Sequence, residues 1–121
     1  MFACPKVLLL SSEEEERKTW ENVLSEHVTL RCVRNLSELQ AALESETYDA
    51  LFCGWSFHLG DWNLALKQAR QRYPDLPVII FCRTGGEAEW VKVVEAGAFD
   101  LLAAPYQKRT VFPVLEHAVA S

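Results

Sequence analysis

The stretch DALFCGWSFHLGDW, residues 49–62, decides the fold prediction. Its apolar run stops at Gly54 and Trp55, and Asp61 then precedes a segment whose apolar residues have helical spacing. This order predicts a buried strand, a loop and a helix, which together make one βα unit. In open parallel sheets, ligands bind just after the strands end. Gly54, which has no functional group, stands at such a position.

The same unit repeats along the chain. Short apolar runs predict five strands, over residues 6–10, 28–33, 50–53, 78–82 and 100–103. The first, third and fourth are apolar almost throughout, which is typical of central strands covered by helices on both faces. The second alternates apolar and polar residues and suits a sheet edge. The prediction is one α/β domain, residues 1–121, built as a doubly wound (βα)5 parallel sheet.

Amphipathic segments between the strands predict the helices. The first, fourth and fifth span residues 13–26, 84–96 and 107–120. Asn35 or Ser37 is expected to cap the second helix, and Asp61 the third. Gly97 is expected to end the fourth helix. Pro113 predicts irregular or kinked first turns in the fifth.

Charge and composition narrow the function classes. Half of the 121 residues are hydrophobic, and the formal net charge is −5. Non-specific nucleic-acid binding requires clustered Lys and Arg, so direct nucleic-acid contact is not expected. The apolar run of residues 7–10 is too short for a membrane span. We therefore expect a cytoplasmic domain that binds neither nucleic acid nor membrane.

The cysteine spacing gives no sign of a metal site. Cys4, Cys32, Cys53 and Cys82 are far apart, and no C-x-x-C pair occurs. The sequence therefore predicts no metal and no cofactor. Reduced, mostly buried thiols are the simplest interpretation. Redox sensing stays open for Cys53 and Cys82, which would end two strands that could be neighbours.

Three segments carry a family resemblance. They are VEAGAFDLLAAPY at residues 94–106, YDALFC at residues 48–53 and DLPVII at residues 75–80. Through them the whole chain resembles the receiver domain of bacterial two-component response regulators. The resemblance implies a CheY-like, flavodoxin-like fold with sheet order 2-1-3-4-5 and helices on both faces.

The resemblance also identifies what the chain lacks. A working receiver holds Mg²⁺ with an acidic pair, takes the phosphoryl group on an Asp, and contacts it with a Thr or Ser and a Lys. These positions match five residues that we call the degenerate pocket: Ser11, Ser12, Gly54, Cys82 and Ala104. Each replacement removes the property that the chemistry requires. The resemblance therefore implies a non-enzymatic pseudo-receiver that cannot be phosphorylated and that signals through protein contacts.

The family's partner surface is the face formed by the fourth helix, fifth strand and fifth helix. The matching residues, which we call the docking face, are Trp90, Lys92, Glu95, Leu101, Tyr106, Lys108 and Arg109. This face is expected to bind a signalling or output domain, or a second copy of the chain. Trp90 and Tyr106 suit interface anchors, although aromatics at such spacing also pack in cores. Leu101 replaces the family's commonly aromatic switch residue.

Two other interpretations remain open. The chain could reuse the degenerate pocket as a small-ligand, anion or redox-sensing domain, with Arg83, Thr84 and Gly85 holding an anion at the start of a helix. The glycine pair 85–86 could equally form only a flexible turn. The chain could also be the regulatory front end of a longer transcription regulator. Trp55 is expected to border the pocket.

Overall fold

The computed structural model describes residues 4–120, which form seven strands and five helices. The strands are β1 Lys6–Leu10, β2 Thr29–Val33, β3 Ala50–Gly54, β4 Ser56–Phe57, β5 Gly60–Asp61, β6 Val78–Cys82 and β7 Asp100–Ala103. The helices are α1 Glu14–Leu24, α2 Leu36–Ser45, α3 Trp62–Arg72, α4 Glu87–Ala96 and α5 Lys108–Ala120.

The main sheet has five parallel strands in the order β2-β1-β3-β6-β7. This is the predicted order 2-1-3-4-5, because β4 and β5 form a separate small hairpin between β3 and α3. The edge position of β2 agrees with its alternating burial, whereas β3 is buried throughout. The doubly wound α/β prediction is confirmed.

Helices cover both faces of the sheet and create two core layers. On one face, α1 and α5 pack Trp20, Leu115 and their neighbours against strand residues such as Phe52 and Phe81. On the other face, α2 and α3, together with Val93 of α4, pack against the alternate strand residues. Successive strand residues point to opposite faces, so the almost continuous apolar runs supply both layers.

The predicted caps lie where the sequence placed them. The Asn35 side chain accepts a hydrogen bond from the Glu38 backbone N–H at 2.8 Å. The Asp61 carboxylate accepts from the backbone N–H groups of Asn63 and Leu64, both at 3.1 Å. Each cap satisfies N–H groups that a helix start leaves without a helical partner. Asp61 is therefore a structural residue of α3.

The structure differs from the predicted bounds of the first and fourth helices and from the irregular first turns predicted for the fifth. The fourth helix begins at Glu87, not at residue 84, because the Glu89 carboxylate accepts from the Gly86 backbone N–H at 2.8 Å and fixes the helix start there. The first helix is shorter than predicted at both ends. Pro113 lies inside α5, which is a continuous helix of 13 residues.

The β4–β5 hairpin was not predicted. Ser56 pairs with Asp61 and Phe57 with Gly60. A Cβ atom at Gly60 would lie 2.6 Å from Cε2 of Phe57, so the close approach requires glycine. Leu59 adopts a left-handed φ of 64° at the turn, which non-glycine residues rarely do. No helix among residues 4–120 is both long and apolar enough to cross a membrane.

Candidate functional site

The strand register brings the degenerate pocket together at the carboxyl edge of the sheet. Leu10 pairs with Cys53, so Ser11 follows β1 at the level of Gly54. Gly54 pairs with Phe81, and Cys82 pairs with Ala103. The four strands therefore end side by side, and the five pocket positions lie on one edge, where parallel α/β folds place their sites.

Ser11 is buried and directs its side chain into the domain. Its hydroxyl donates to Oε1 of Glu16 at 2.8 Å, and the Glu13 backbone N–H donates to the same hydroxyl at 3.3 Å. Burial raises the pKa of the Glu16 carboxyl, the Ser11 hydrogen bond opposes this rise, and the negative charge of Glu13 adds to it. Ser11 thus supports α1 through a hydrogen bond and contributes no charge to the pocket.

An ion pair spans the pocket edge. The guanidinium of Arg83, which follows β6, contacts the Glu13 carboxylate at the start of α1. These residues are 70 positions apart in the chain, so the contact joins two separate loops. Both side chains are more than half exposed, and exposed ion pairs contribute little stability. The pair neutralises the charge of Arg83, the residue that directly follows β6.

Tyr106 lies against the pocket from the side of α1. Its ring stacks on Trp20 with centroids 4.6 Å apart and meets Phe81 edge-on at 5.6 Å. Burial raises the pKa of the Tyr106 hydroxyl, and the charges of Glu16 and Cys82 raise it further. The hydroxyl hydrogen-bonds to no group among residues 4–120. The ring therefore fills space beside the degenerate pocket.

Gly54 is buried, and its backbone does not require glycine. Its φ lies outside the left-handed region. A Cβ atom there would lie 3.5 Å from Cε1 of Phe81, 3.5 Å from the Ser56 carbonyl oxygen and 3.6 Å from the Leu10 carbonyl oxygen. These are ordinary van der Waals distances. A small side chain fits, but two carbonyl oxygens would face it.

The other positions of the degenerate pocket carry no carboxylate and no ammonium group. Ser12 accepts a hydrogen bond from the His58 backbone N–H at 3.2 Å, which ties the hairpin to the end of β1. Cys82 is partly buried and Ala104 is exposed. Trp55 is half-buried and packs on Trp62 at 5.6 Å. Among residues 4–120, no group of three or more His, Cys, Asp or Glu side chains could hold a metal ion.

Cys53 has the environment of a structural thiol. It is fully buried, and its Sγ donates to the Gly54 carbonyl oxygen at 3.3 Å. Burial raises the pKa of the Cys53 thiol, which disfavours the reactive thiolate. β3 and β6 are neighbours, as the redox hypothesis required, but Cys53 pairs with Ile80 and not with Cys82. These observations argue against Cys53 as a redox sensor.

Two groups of the candidate anion loop are already engaged. Arg83 is paired with Glu13, and the Gly85 N–H donates to the Cys82 carbonyl oxygen at 3.4 Å. Thr84 is exposed and precedes a helix that begins three residues later than predicted. Two glutamates, Glu87 and Glu89, occupy the first turn of α4. This acidic helix start disfavours anion binding.

The docking face is partly exposed and partly engaged within the domain. Trp90 is 45% exposed, and its Nε1 donates to Oδ1 of Asp100 at 2.9 Å. Lys92 and Glu95 are exposed on α4, whereas Leu101 is half-buried. Tyr106 turns towards Trp20. Of the remaining two residues, Lys108 pairs with Glu26 at 3.8 Å, and Arg109 donates to Gln107 at 3.0 Å.

Comparison with known proteins identifies sequence relatives. No family model matches the chain. The DNA-binding transcriptional regulator NtrC of Salmonella typhimurium is 33% identical over 93 residues, which cover 77% of this chain and 20% of NtrC. The hydrogenase transcriptional regulatory protein HoxA of Bradyrhizobium diazoefficiens is 25% identical over 115 residues, which cover 93% of this chain and 24% of HoxA. The chain thus spans about a fifth to a quarter of these relatives' length.

Solved structures share the fold over nearly the whole chain. The apo receiver domain of nitrogen regulatory protein C matches with a TM-score of 0.82 and 29% identity, covering 98% of this chain and 97% of that one. A putative response regulator from Chloroflexus aurantiacus gives a TM-score of 0.90 at 21% identity, and the match covers 98% of this chain and 100% of that one. The relationship to NtrC and the fold common to these structures together support the assignment of this chain to the response regulator receiver domains.

Proposed function

We propose that this chain is a receiver domain that cannot be phosphorylated by the aspartyl route and that acts in signal transduction by binding other proteins. The observation that supports this proposal is the content of the pocket. Its five positions supply no carboxylate and no cation, and position 54, which matches the phosphoryl acceptor, has no side chain. The surrounding space is occupied by the Ser11–Glu16 hydrogen bond, the Glu13–Arg83 ion pair and the Tyr106 ring.

The missing groups act together in the family's chemistry. A hard cation requires carboxylate oxygens, and a transferring phosphoryl group requires positive charge held in place. Four glutamates, residues 13–16, follow the acidic-pair positions, and two of them, Glu13 and Glu16, contact Arg83 and Ser11 within the chain. Neither lies opposite an acceptor, because Gly54 has no side chain.

We expect no change in the intact mass of the purified chain after incubation with Mg²⁺ and acetyl phosphate. Without an acceptor carboxylate at position 54, no acyl phosphate forms by the usual route. Mass spectrometry measures the modification directly, and Trp55 fluorescence reports in parallel on the loop that follows Gly54. The receiver domain of NtrC, treated in the same way, is the matched positive control. A gain of one phosphate by this chain would contradict the proposal.

Part of the docking face remains available for a partner. Trp90 and Val91 are exposed hydrophobic residues on α4, 45% and 38% exposed, with Lys92 and Glu95 close by in sequence. An exposed aromatic residue is typical of an interface anchor. We therefore propose that α4, β7 and α5 bind a signalling or output domain, or a second copy of this chain.

Replacement of Trp90 by alanine is expected to weaken self-association without unfolding the domain. Truncating an anchor at an interface typically costs at least about 1–2 kcal/mol, or about a tenfold weaker association. Sedimentation velocity over a range of concentrations measures it, with Leu64→Ala, an exposed leucine on α3, as the matched control. A wild-type chain that stays monomeric at every concentration would exclude the homodimer. The proposed partner of the docking face would then be a signalling or output domain.

A second candidate function is the regulatory front end of a longer transcription regulator. The similarity to NtrC and HoxA favours it, because both are transcriptional regulators. The part that matches this chain is only about a fifth to a quarter of their length. The continuation of the reading frame tests it, and a stop codon immediately after Ser121 would exclude it. The ligand, anion and redox alternatives have less support, because Arg83 and the loop amide of Gly85 are engaged and Cys53 is buried.

A further inference from the structure

The indole of Trp90, on the docking face, is held by a side chain of the neighbouring strand. Its Nε1 donates to Oδ1 of Asp100, the first residue of β7, at 2.9 Å. The same Oδ1 accepts from the Leu101 backbone N–H at 2.8 Å, so the carboxylate is itself fixed on β7. An exposed indole N–H can bond to water instead of protein. Here Asp100 supplies the partner although Trp90 is exposed.

The backbone between these two residues is also well defined. α4 ends at Gly97, which has a left-handed φ of 111°. The N–H groups of Gly97 and Ala98 donate to carbonyl oxygens in the last turn of α4 at 3.1 and 3.0 Å. The Phe99 N–H then donates to the Val78 carbonyl oxygen at 2.7 Å, which joins the chain to the sheet. Both ends of the indole–carboxylate bond therefore start from ordered backbone.

The bond decides what Trp90 can offer to a partner. An indole has one hydrogen-bond donor and no acceptor, and Asp100 already occupies the donor. A carboxylate is a stronger acceptor than a neutral group, so a partner's neutral acceptor would have to displace a better one. Val91, the next residue of α4, is also exposed and is aliphatic. This part of α4 therefore suits an apolar contact.

We propose that Asp100 is a positioning residue for the docking face, which holds the Trp90 ring ready for apolar contact with a protein partner while keeping its N–H bonded within the domain. This role rests on the proposed use of the docking face. Asp100 acts through Trp90, because a ring that is fixed before binding loses less side-chain freedom when a partner covers it. The partner surface that fits has aliphatic or aromatic side chains over Trp90 and no hydrogen-bond acceptor there.

Nuclear magnetic resonance of the free chain tests the positioning role without any partner. The Trp90→Phe variant identifies the indole N–H signal of Trp90 by its absence. In Asp100→Ala, we expect this proton to exchange with water at least about tenfold faster than in the wild type, because its acceptor is gone. Asp100→Asn keeps an acceptor oxygen and should restore most of the protection. The indole signals of Trp55 and Trp62 are internal controls.

Self-association of the chain, measured by sedimentation velocity, tests whether Asp100 acts through Trp90. Asp100→Ala should weaken association at least about threefold in the wild-type background. It should have no further effect in the Trp90→Ala background, where there is no ring to position. A purely structural role of Asp100 would weaken association equally in both backgrounds. In the associated wild-type chain, the indole N–H of Trp90 should remain as protected as in the free chain.

The two measurements separate the failure of this role from the failure of the docking face. Unchanged exchange of the Trp90 indole N–H in Asp100→Ala would overturn the positioning role, and so would equal weakening of association in both backgrounds. Stronger association of Asp100→Ala would show that an acceptor on the partner competes for the indole, which contradicts the apolar contact. A chain that stays monomeric would exclude the homodimer, and the exchange rates alone would then decide the role of Asp100.

Discussion

The Gly54→Asp variant is expected to lose at least about 2 kcal/mol of unfolding free energy at pH 7 and to remain unphosphorylated. Gly54 is buried, and a side chain there faces the carbonyl oxygens of Leu10 and Ser56. Ser11 and Ser12 offer no carboxylate to hold a cation beside the new charge, and Ala104 offers no ammonium. The added carboxylate would therefore be buried without a partner.

Two matched variants separate charge from size. Gly54→Ala should change the stability by less than about 1 kcal/mol, because its Cβ meets neighbours at 3.5 Å or more. Gly54→Asn matches aspartate in shape without its charge. Burial raises the pKa of an unpartnered Asp carboxyl in the folded state, so the folded chain binds the proton more tightly than the unfolded chain. The aspartate variant should therefore have a lower unfolding free energy than the asparagine variant at pH 7, and this difference should disappear as the pH falls below about 4.

Urea unfolding at several pH values measures these differences, and intact mass spectrometry with acetyl phosphate measures phosphorylation. An aspartate variant that is as stable at pH 7 as the alanine variant would show that the pocket tolerates an added charge. Phosphorylation of that variant would show that the other four positions retain enough of the chemistry. Either result would contradict our view of the pocket.

The Trp20→Ala variant is expected to lose about 3–5 kcal/mol of unfolding free energy. The Trp20 side chain is fully buried and contacts the rings of Phe52, Phe81 and Tyr106 at centroid distances of 5.1, 5.0 and 4.6 Å. Its removal leaves a cavity between α1 and the sheet and takes away the ring on which Tyr106 stacks. The total unfolding free energy of a small domain is only about 5–15 kcal/mol, so this is a large loss.

Thermal and urea unfolding measure the loss, and Trp90→Ala is the matched control. The control makes the same chemical change at a side chain that is 45% exposed and makes one hydrogen bond. We therefore expect it to lose about 1 kcal/mol of unfolding free energy or less. Trp20→Phe keeps most of the core volume if the alanine variant fails to fold, and should fall between the two. Similar losses for Trp20→Ala and Trp90→Ala would contradict the conclusion that the Trp20 side chain is a major part of the core between α1 and the sheet.

Most of the fold could be predicted because it depends on local patterns. The apolar runs gave the five main strands to within one residue, and the Asn35 and Asp61 caps followed from residue type alone. The hairpin was missed because Leu59 occupies a left-handed turn position without the usual signal of glycine or asparagine. Gly60 was visible in the sequence, but the need for glycine comes from its packing on Phe57.

For the candidate site, the sequence could predict only which residues replace those of a working receiver. The resemblance placed the five replaced positions, and the register confirms that their strands end at one edge. The Glu13–Arg83 contact could not be read from the sequence, because a pairing across 70 residues has no periodic signal. The inward packing of Tyr106 depends on the ring of Trp20 in α1, which is far from Tyr106 in the chain and likewise gives no periodic signal.

The ion pair between Glu13 and Arg83 differs from the ligands of a working receiver in where its charges come from. In a receiver that binds Mg²⁺ and phosphate, both groups come from solution, so occupancy follows their concentrations. Here the opposite charges belong to one polypeptide, and their effective concentration is constant from one molecule to the next. If the pocket cannot be phosphorylated, as we propose, a change in cellular magnesium or phosphodonor levels has no equilibrium to shift at this edge. If the domain conveys information, its variable is the abundance of the chain or of its partner.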